Sequence, residues 1–202
     1  FVFAMMNTSV ANVVFTISTQ TMFLALFGYF YLKEKISLIG LLSIILAMMG
    51  ISIMINDSVS SGTLFGNLLA LTIPISFSIY VMILRKNSNL DLIPAIWYAS
   101  IFSILYSLVM VDSFSFTNND IFMGFLLGVP QLTFGFVCIT IGSRTTRSVT
   151  IGLLMLTETI FAPLWVWLFL NEIPPLSVFI GGTVIIFAII VKSLDKNKSI
   201  TA

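Results

Sequence analysis

The chain has 202 residues, of which 58% are hydrophobic and only 8% are charged, and its mean hydropathy is +1.12. Soluble domains carry about 25% charged residues, so the composition excludes a soluble protein and indicates an integral membrane protein. A formal net charge of +1 leaves no basic surface for nucleic acid. The sequence has no histidine and one cysteine, Cys138, which argues against a disulfide framework, a metal site or a cofactor site.

Long apolar runs divide the chain into seven predicted membrane spans, because about 20 apolar residues are needed for a helix to cross the bilayer. A short apolar tail, residues 1–6, precedes them and resembles the end of a truncated helix. We therefore expect an all-α integral membrane protein, built as a polytopic helical bundle. The spans, in chain order, are A (about 9–32), B (37–55), C (64–84), D (94–111), E (121–142), F (148–170) and G (174–192).

The basic residues all lie in alternate loops. They follow spans A, C, E and G, whereas the loops after the tail and after spans B, D and F carry only acidic and neutral residues. Because cytoplasmic loops are rich in Lys and Arg, the basic loops are predicted to be cytoplasmic. Span A then runs inward, span F runs outward, and residues 195–202 form a cytoplasmic C-terminal tail.

A shift of 138 residues aligns the first part of the chain with the second. It places Gln20 on Glu158, both near the middle of a span, and Glu34 on Glu172. Since span A runs inward and span F outward, the two copies are predicted to be inverted, as in many secondary transporters.

The alignment predicts the domain organisation. Residues 1–55 hold the last part of the first copy, which is the end of its third span followed by spans A and B. Residues 64–194 hold a complete second copy of five spans. We expect about 75 further residues and two and a half spans upstream, so that the seven visible spans belong to ten arranged as two inverted five-helix repeats.

Glu158 is the first functional candidate, because an ionised acid in mid-membrane costs about 2.5 to 3.5 kcal/mol unless it is partnered or faces a cavity. We interpret it as a proton-responsive or cation-responsive group on a solute path. The alternative is a protonated carboxyl group that joins two helices by a hydrogen bond.

Other polar residues lie at similar depth. Asn12, Thr16 and Gln20 follow one another at a spacing of four, so span A presents a polar face to the bundle. Pro130, next to Gln131 in span E, frees a backbone carbonyl. Packing is the alternative role for each. The residues predicted to line the path are Glu158, Gln20, Gln131, Asn12, Thr16, Asn67 and Thr157.

Small residues and glutamates predict close helix packing. Gly124, Gly128 and Gly135 share one face of span E with Gln131, which permits a close approach by another helix. Glu34 and Glu172 end spans A and F, where each is expected to face the positive N-terminus of the next helix.

The two helix pairs share a pattern in which an apolar helix ends in glutamate and small residues follow in the next helix. The small residues lie nine and sixteen positions after the glutamate, and span F also contains a proline. With this order and duplication, the chain resembles the EamA branch of the drug/metabolite transporter superfamily. The residues concerned are Glu34, Ser43 and Gly50 in the first copy, and Pro163, Glu172, Gly181 and Ala188 in the second.

The resemblance implies a secondary transporter of small metabolites, such as amino-acid-like compounds, that acts in efflux by alternating access in the bacterial cytoplasmic (inner) membrane. The few fixed charges within the spans favour a neutral, zwitterionic or apolar solute. Besides the solute and the lipid bilayer, the partners considered are a coupling proton and a second copy of the chain. No cofactor and no nucleic acid are expected.

Two other classes of protein were compared with this prediction. A seven-span receptor or sensor would fit the visible number of spans, but it would not explain an inverted repeat, and every lysine lies in a loop or at a span end. An intramembrane enzyme needs a catalytic pair at matched depth, but the aspartates lie outside the spans. We therefore expect a protein that is not an enzyme.

Overall fold

The computed structural model describes residues 2–8, 10–55, 64–110, 117–170 and 175–195. Within these ranges the regular structure is entirely helical, which confirms the predicted all-α class. A π-helical segment, Leu127–Thr133, lies between the helices Asn118–Leu126 and Phe134–Gly142. The helices are α1 (Val2–Asn7), α2 (Val10–Ser18), α3 (Gln20–Tyr31), α4 (Leu38–Ile55), α5 (Leu64–Lys86), α6 (Ile93–Met110), α7 (Asn118–Leu126), α8 (Phe134–Gly142), α9 (Ser148–Leu170) and α10 (Leu176–Ser193).

The helices coincide with the predicted spans. Span A corresponds to α2 and α3, span E to α7, the π-helical segment and α8, and each other span to one helix. Among the described residues, four helical segments are long and apolar enough to cross a membrane. Three further apolar segments are shorter. The four are Asn12–Tyr31, Leu64–Lys86, Asn118–Gly142 and Leu176–Ser193, and the three are Leu38–Met54, Ile93–Val109 and Ser148–Phe161.

The helix boundaries repeat at the interval found in the sequence. α2 begins at Val10 and α9 at Ser148. α4 covers Leu38–Ile55 and α10 covers Leu176–Ser193, so that the start and the end of α4 both recur 138 residues later. The interval of the sequence alignment therefore recurs in the helix boundaries, which follow from the same local sequence, and the duplication stays a prediction.

The chain forms two compact units. The first consists of Phe1–Ile83 and Thr146–Ala202, and the second of Leu84–Thr145. The first unit has an apolar core in which α4, α9 and α10 contribute most of the buried side chains. Its most deeply buried large residues include Leu24, Ile51, Leu153, Leu156 and Ile185.

Helices α4 and α10 of the first unit pack in antiparallel orientation with their backbones in contact. Gly40, near the start of α4, lies beside Lys192, near the end of α10. Gly50, near the end of α4, lies against Gly181, near the start of α10, so closely that a Cβ atom on Gly181 would overlap the Gly50 carbonyl oxygen. Small residues permit this approach, which is how helices commonly associate in a membrane.

A polar cluster closes one end of the α4/α10 pair. Lys192 Nζ lies 2.8 Å from Asp195 Oδ2, and both side chains are more than nine-tenths buried. The Ser37 hydroxyl donates to the same carboxylate oxygen, and its Oγ accepts from the Gly40 N–H group at 3.0 Å. Ser37 therefore caps the N-terminus of α4. We call this end of the first unit, marked by Lys33, Lys35, Arg147 and Lys192, the basic end.

The second unit contains α6, α7, the π-helical segment and α8. Arg144 Nη2 lies 3.3 Å from Asp91 Oδ1, which ties the loop after α8 to the loop before α6. No described atom lies within 4 Å of a Cβ placed on Gly124, Gly128 or Gly135. Within the described part of the second unit, no helix makes the close approach that these glycines permit, because small residues allow such packing but do not by themselves supply the partner.

Candidate functional site

Span A is interrupted at Thr19, close to its middle. The Thr19 N–H group donates to the Thr16 carbonyl at 3.1 Å, three residues back instead of four, and its hydroxyl donates to the same carbonyl at 2.6 Å. Hydroxyl side chains compete in this way with regular helical hydrogen bonds. The interruption was not predicted, although Ser18, Thr19, Gln20 and Thr21 form a polar run in an apolar span that could have indicated it.

The residues after the interruption attach α3 to α9. Gln20 is 6% exposed and Thr21 is fully buried. The Thr21 hydroxyl donates to the Gly152 carbonyl at 3.0 Å, and a Cβ on Gly152 would lie 2.8 Å from Thr21 Cα. The two helices therefore touch backbone to backbone at the depth of Gln20.

A chain of polar side chains, which we call the polar ladder, leads along α2 toward Gln20. The Thr8 hydroxyl donates to Asn67 Oδ1 at 2.8 Å, Asn12 Nδ2 donates to Thr8 Oγ1 at 3.1 Å, and the Thr16 hydroxyl donates to the Asn12 carbonyl at 2.7 Å. The structure thus connects three predicted path residues, Asn12, Thr16 and Asn67. Thr8 was not predicted as a site residue, although it lies four residues before Asn12 and so continues the series Asn12, Thr16 and Gln20.

Close packing of α5 fixes the position of Thr8. A Cβ on Gly66 would overlap the Asn7 carbonyl group and lie 2.9 Å from Thr8 Cβ. Because only a glycine leaves room for the backbone between α1 and α2, Gly66 brings the neighbouring Asn67 within hydrogen-bonding distance of Thr8.

Glu158 lies on an exposed face of α9 that we call the acidic face. Four apolar side chains share this face: Leu154, Phe161, Trp165 and Leu168 are 48%, 52%, 54% and 66% exposed. At 3.6 residues per turn the five positions fall within an arc of about 80°. The acidic face therefore presents one carboxyl group among large apolar and aromatic side chains.

Two other predicted path residues lie away from these features. Thr157 is half-buried, and its hydroxyl donates to the Leu154 carbonyl at 2.7 Å. Gln131 is exposed in the π-helical segment of the second unit, beside Pro130. The Thr133 hydroxyl donates to the Gly128 carbonyl at 2.8 Å in this segment. Such π-helical turns occur often at functional sites.

The contact made by Glu34 differs from the prediction. Its Oε2 atom accepts from the backbone N–H of Ser148 at 3.1 Å, so it caps the start of α9 and not the start of α4. Lys33 adopts a φ of 54° and turns the chain, and the Glu34 N–H group donates back to the Gly28 carbonyl at 3.0 Å. The N-terminus of α4 is already capped by Ser37, and the antiparallel packing of α3 and α9 brings the start of α9 close to Glu34.

The remaining motif residues are only partly described. Glu172 lies outside the described residues, and Pro163 lies within α9 but its side chain is not described. Gly50 and Gly181 form the α4/α10 crossing, and Ser43 and Ala188 are fully buried.

Two grooves in the first unit are apolar. One, of about 500 Å³, lies between α3 and α4 and includes Met22, Met48 and Met49. The other, of about 440 Å³, lies between α3 and α5 and includes Phe30 and Met82. Neither includes a residue of the polar ladder or the acidic face.

Comparisons with known proteins agree with this fold. The sequence model of the EamA-like transporter family matches residues 64–194. An uncharacterized transporter from Clostridium kluyveri is 26% identical over 212 residues, which cover 98% of this chain and 68% of that protein. A solved crystal structure superposes with a TM-score of 0.82 at 15% identity, covers 95% of this chain and 69% of the other, and thus has the same fold.

Proposed function

The chain belongs to the EamA-like transporter family, and from this premise we propose that it is a secondary carrier that exports a small organic metabolite by alternating access. Its place among membrane transporters follows from the family and from the transporter relative. The receptor alternative is therefore set aside. The bacterial cytoplasmic membrane as its location, with a cytoplasmic C-terminus, is part of the proposal.

The observation that carries the proposal is the repetition of helix boundaries together with antiparallel packing. α4 and α10 are equivalent helices of the two copies, and they cross in opposite directions at Gly50 and Gly181. A carrier built from inverted copies has two related conformations, one open to each side of the membrane, because exchanging the roles of the copies reverses the opening.

The α3/α9 pair supports the same mechanism, because the two helices are closely packed at the basic end, whereas α9 has an exposed face farther along. At the basic end, Gly28 packs against Ser148, Glu34 caps the start of α9, and Thr21 bonds to Gly152. Farther along α9, the face that carries Glu158 is exposed. If the basic end is cytoplasmic, as the positive-inside rule predicts, these contacts close the α3/α9 pair on the cytoplasmic side.

We place the solute path of the first unit along the polar ladder to Gln20 and Glu158, with Thr157 as a further contributor, and Gln131 of the second unit stays a prediction from the sequence. Near the membrane centre, unpaired polar groups are costly in contact with lipid. The exposed carboxyl group of Glu158 is therefore better accounted for by a cavity that opens to water. A proton on Glu158 is the proposed coupling ion, because neutralising the carboxyl group lowers the cost of moving α9 between the two states.

Counterflow in proteoliposomes tests the carrier mechanism. The purified protein is reconstituted, and uptake of a panel of labelled amino acids and small amines is measured with and without the same unlabelled compound inside. The binding site of a carrier returns across the membrane faster when solute is bound to it. Internal solute is therefore expected to accelerate uptake of at least one compound, to several-fold above the uptake by protein-free liposomes. Uptake that is protein-dependent but indifferent to internal solute for every compound would indicate a channel and contradict the proposal.

A further inference from the structure

We propose that the acidic face of α9 is where this carrier, if it functions as proposed above, binds its solute, and that the solute is an organic monocation. The chemical class is an ammonium group attached to an aromatic or aliphatic body. This class differs from the neutral, zwitterionic or apolar solutes that the few fixed charges within the spans favour.

The charge of the face determines the sign of the solute. Glu158 is the one acidic residue in the middle of a described span, since Asp120 lies in the first turn of α7 and the other described acids lie in loops. An ionised carboxylate at this depth is costly unless it has a partner or faces a cavity. The described basic residues all lie in loops or the last turns of helices, so within the described part of the chain none is at the depth of Glu158. A monocationic solute supplies the missing charge.

The aromatic residues of the face suit the same ligand. Phe161 and Trp165 follow Glu158 by one and two helical turns, within the same arc, and both are more than half exposed. The faces of aromatic rings attract ammonium groups, and tryptophan does so most strongly. Both rings therefore lie on the same side of α9 as Glu158, while Leu154 and Leu168 extend the apolar surface for the body of the solute.

A zwitterion is less well matched to this face. Its carboxylate would need a basic side chain or free backbone N–H groups close to Glu158. The N–H groups of Thr19, Met22 and Phe23, at the interruption of span A, donate to carbonyls of the same span. The Thr157 hydroxyl, beside Glu158, donates to Leu154. Binding a zwitterion would thus leave a second negative charge in mid-membrane without a partner among these groups.

Calorimetric titration of the purified protein with three probes that share a benzyl group tests the inference. The probes are benzyltrimethylammonium, the zwitterion N,N,N-trimethylphenylalanine and neutral benzyl alcohol. We expect saturable binding of the cation and at least about tenfold weaker binding of the other two, the change that 1.4 kcal/mol produces. Equal or tighter binding of the zwitterion or the alcohol would overturn the inference.

Variants of the acidic face give the second part of the test. Glu158→Gln is expected to weaken binding of the cation about tenfold or more, and Glu158→Asp to retain most of it. Trp165→Leu should weaken it about two- to tenfold. Trp167→Leu is the matched control, because Trp167 lies on the opposite side of α9 with its ring 6.1 Å from that of Phe179. Cation binding that is unchanged by Glu158→Gln, or equally reduced by both tryptophan variants, would contradict the inference.

The substitutions of the aromatic residues and the counterflow assay separate the remaining outcomes. If Glu158→Gln does not purify as a monodisperse protein, Phe161→Leu and Trp165→Leu decide the question, because they leave the charge in place. Counterflow of a neutral or zwitterionic solute without cation binding would refute the monocation and leave the carrier standing. Cation binding without counterflow of any solute would refute the carrier and leave the binding site standing.

Discussion

Replacing Gly181 by alanine is expected to destabilise the protein, although alanine is the better helix former by about 1 kcal/mol. The added Cβ would overlap the Gly50 carbonyl oxygen and approach Met54 Cγ to 2.5 Å. The obstacle is backbone, which cannot rotate away, so α4 and α10 must separate. Overpacking of this kind costs about 1 to 3 kcal/mol. We expect the Tm of the purified protein in detergent to fall by several degrees.

Gly182→Ala is the matched control for this substitution. Gly182 is the next residue in the same helix and is also buried, but among the described atoms a Cβ there would meet only Ile160 Cγ2, at 3.7 Å, which is ordinary contact. The gain in helix propensity should therefore leave the Tm unchanged or raise it. Equal Tm changes for the two alanine variants would contradict the close crossing of α4 and α10.

Glu158→Gln is expected to have the largest effect on transport. The substitution keeps the shape of the side chain but removes the only mid-span acid of the described residues, so the site loses its negative charge and its capacity to exchange a proton. We expect solute flux in proteoliposomes to fall about tenfold or more, with the amount of reconstituted protein unchanged. Glu158→Asp, which keeps the charge on a shorter side chain, should retain a measurable part of the flux.

Thr72→Ala controls for the loss of a polar group from a span. Thr72 is exposed on α5, and its hydroxyl donates to the Leu69 carbonyl at 2.7 Å. Its removal should leave flux unchanged. If Glu158→Gln transports the solute at the wild-type rate and with the wild-type dependence on pH, Glu158 has no part in the mechanism.

The positions of the helices could be predicted from the sequence because bilayer thickness sets the length of an apolar run. Predicted span B, residues 37–55, and the observed helix, Leu38–Ile55, differ by one residue at the start. The repeat is itself a prediction from the sequence, because equivalent turns and span ends keep their polar residues. These features depend on local sequence and on the membrane, and not on which helices touch.

Tertiary partners could not be predicted in the same way. Glu34 was expected to face the helix that follows it, but its nearest helix start belongs to α9, more than a hundred residues away in sequence. The glycines of span E were noted as permitting a close approach, whereas Gly66 and Gly152, which do make close backbone contacts, were not singled out. A glycine shows that an approach is possible, and only the packing of the bundle decides whether it occurs.

The candidate site was predicted in part. The spacing of Asn12, Thr16 and Gln20 indicated the polar face of span A, but the contribution of Asn67 depends on Thr8, which lies between two helices. Gln20 and Glu158 are equivalent in the alignment, yet Gln20 is buried and Glu158 is exposed. Two copies of one helix pair can therefore supply different surfaces, because each copy packs against different neighbours.

The central claim is that the two copies are inserted in opposite directions, and labelling from each side of the membrane tests it most directly. In a Cys138→Ala background, Lys35→Cys and Leu176→Cys place single thiols at the starts of equivalent helices, and both positions are exposed. A membrane-impermeant maleimide is expected to react with Leu176→Cys in intact cells and with Lys35→Cys only after the cells are opened. Reaction of both thiols from the same side would contradict the inverted repeat and the carrier built on it.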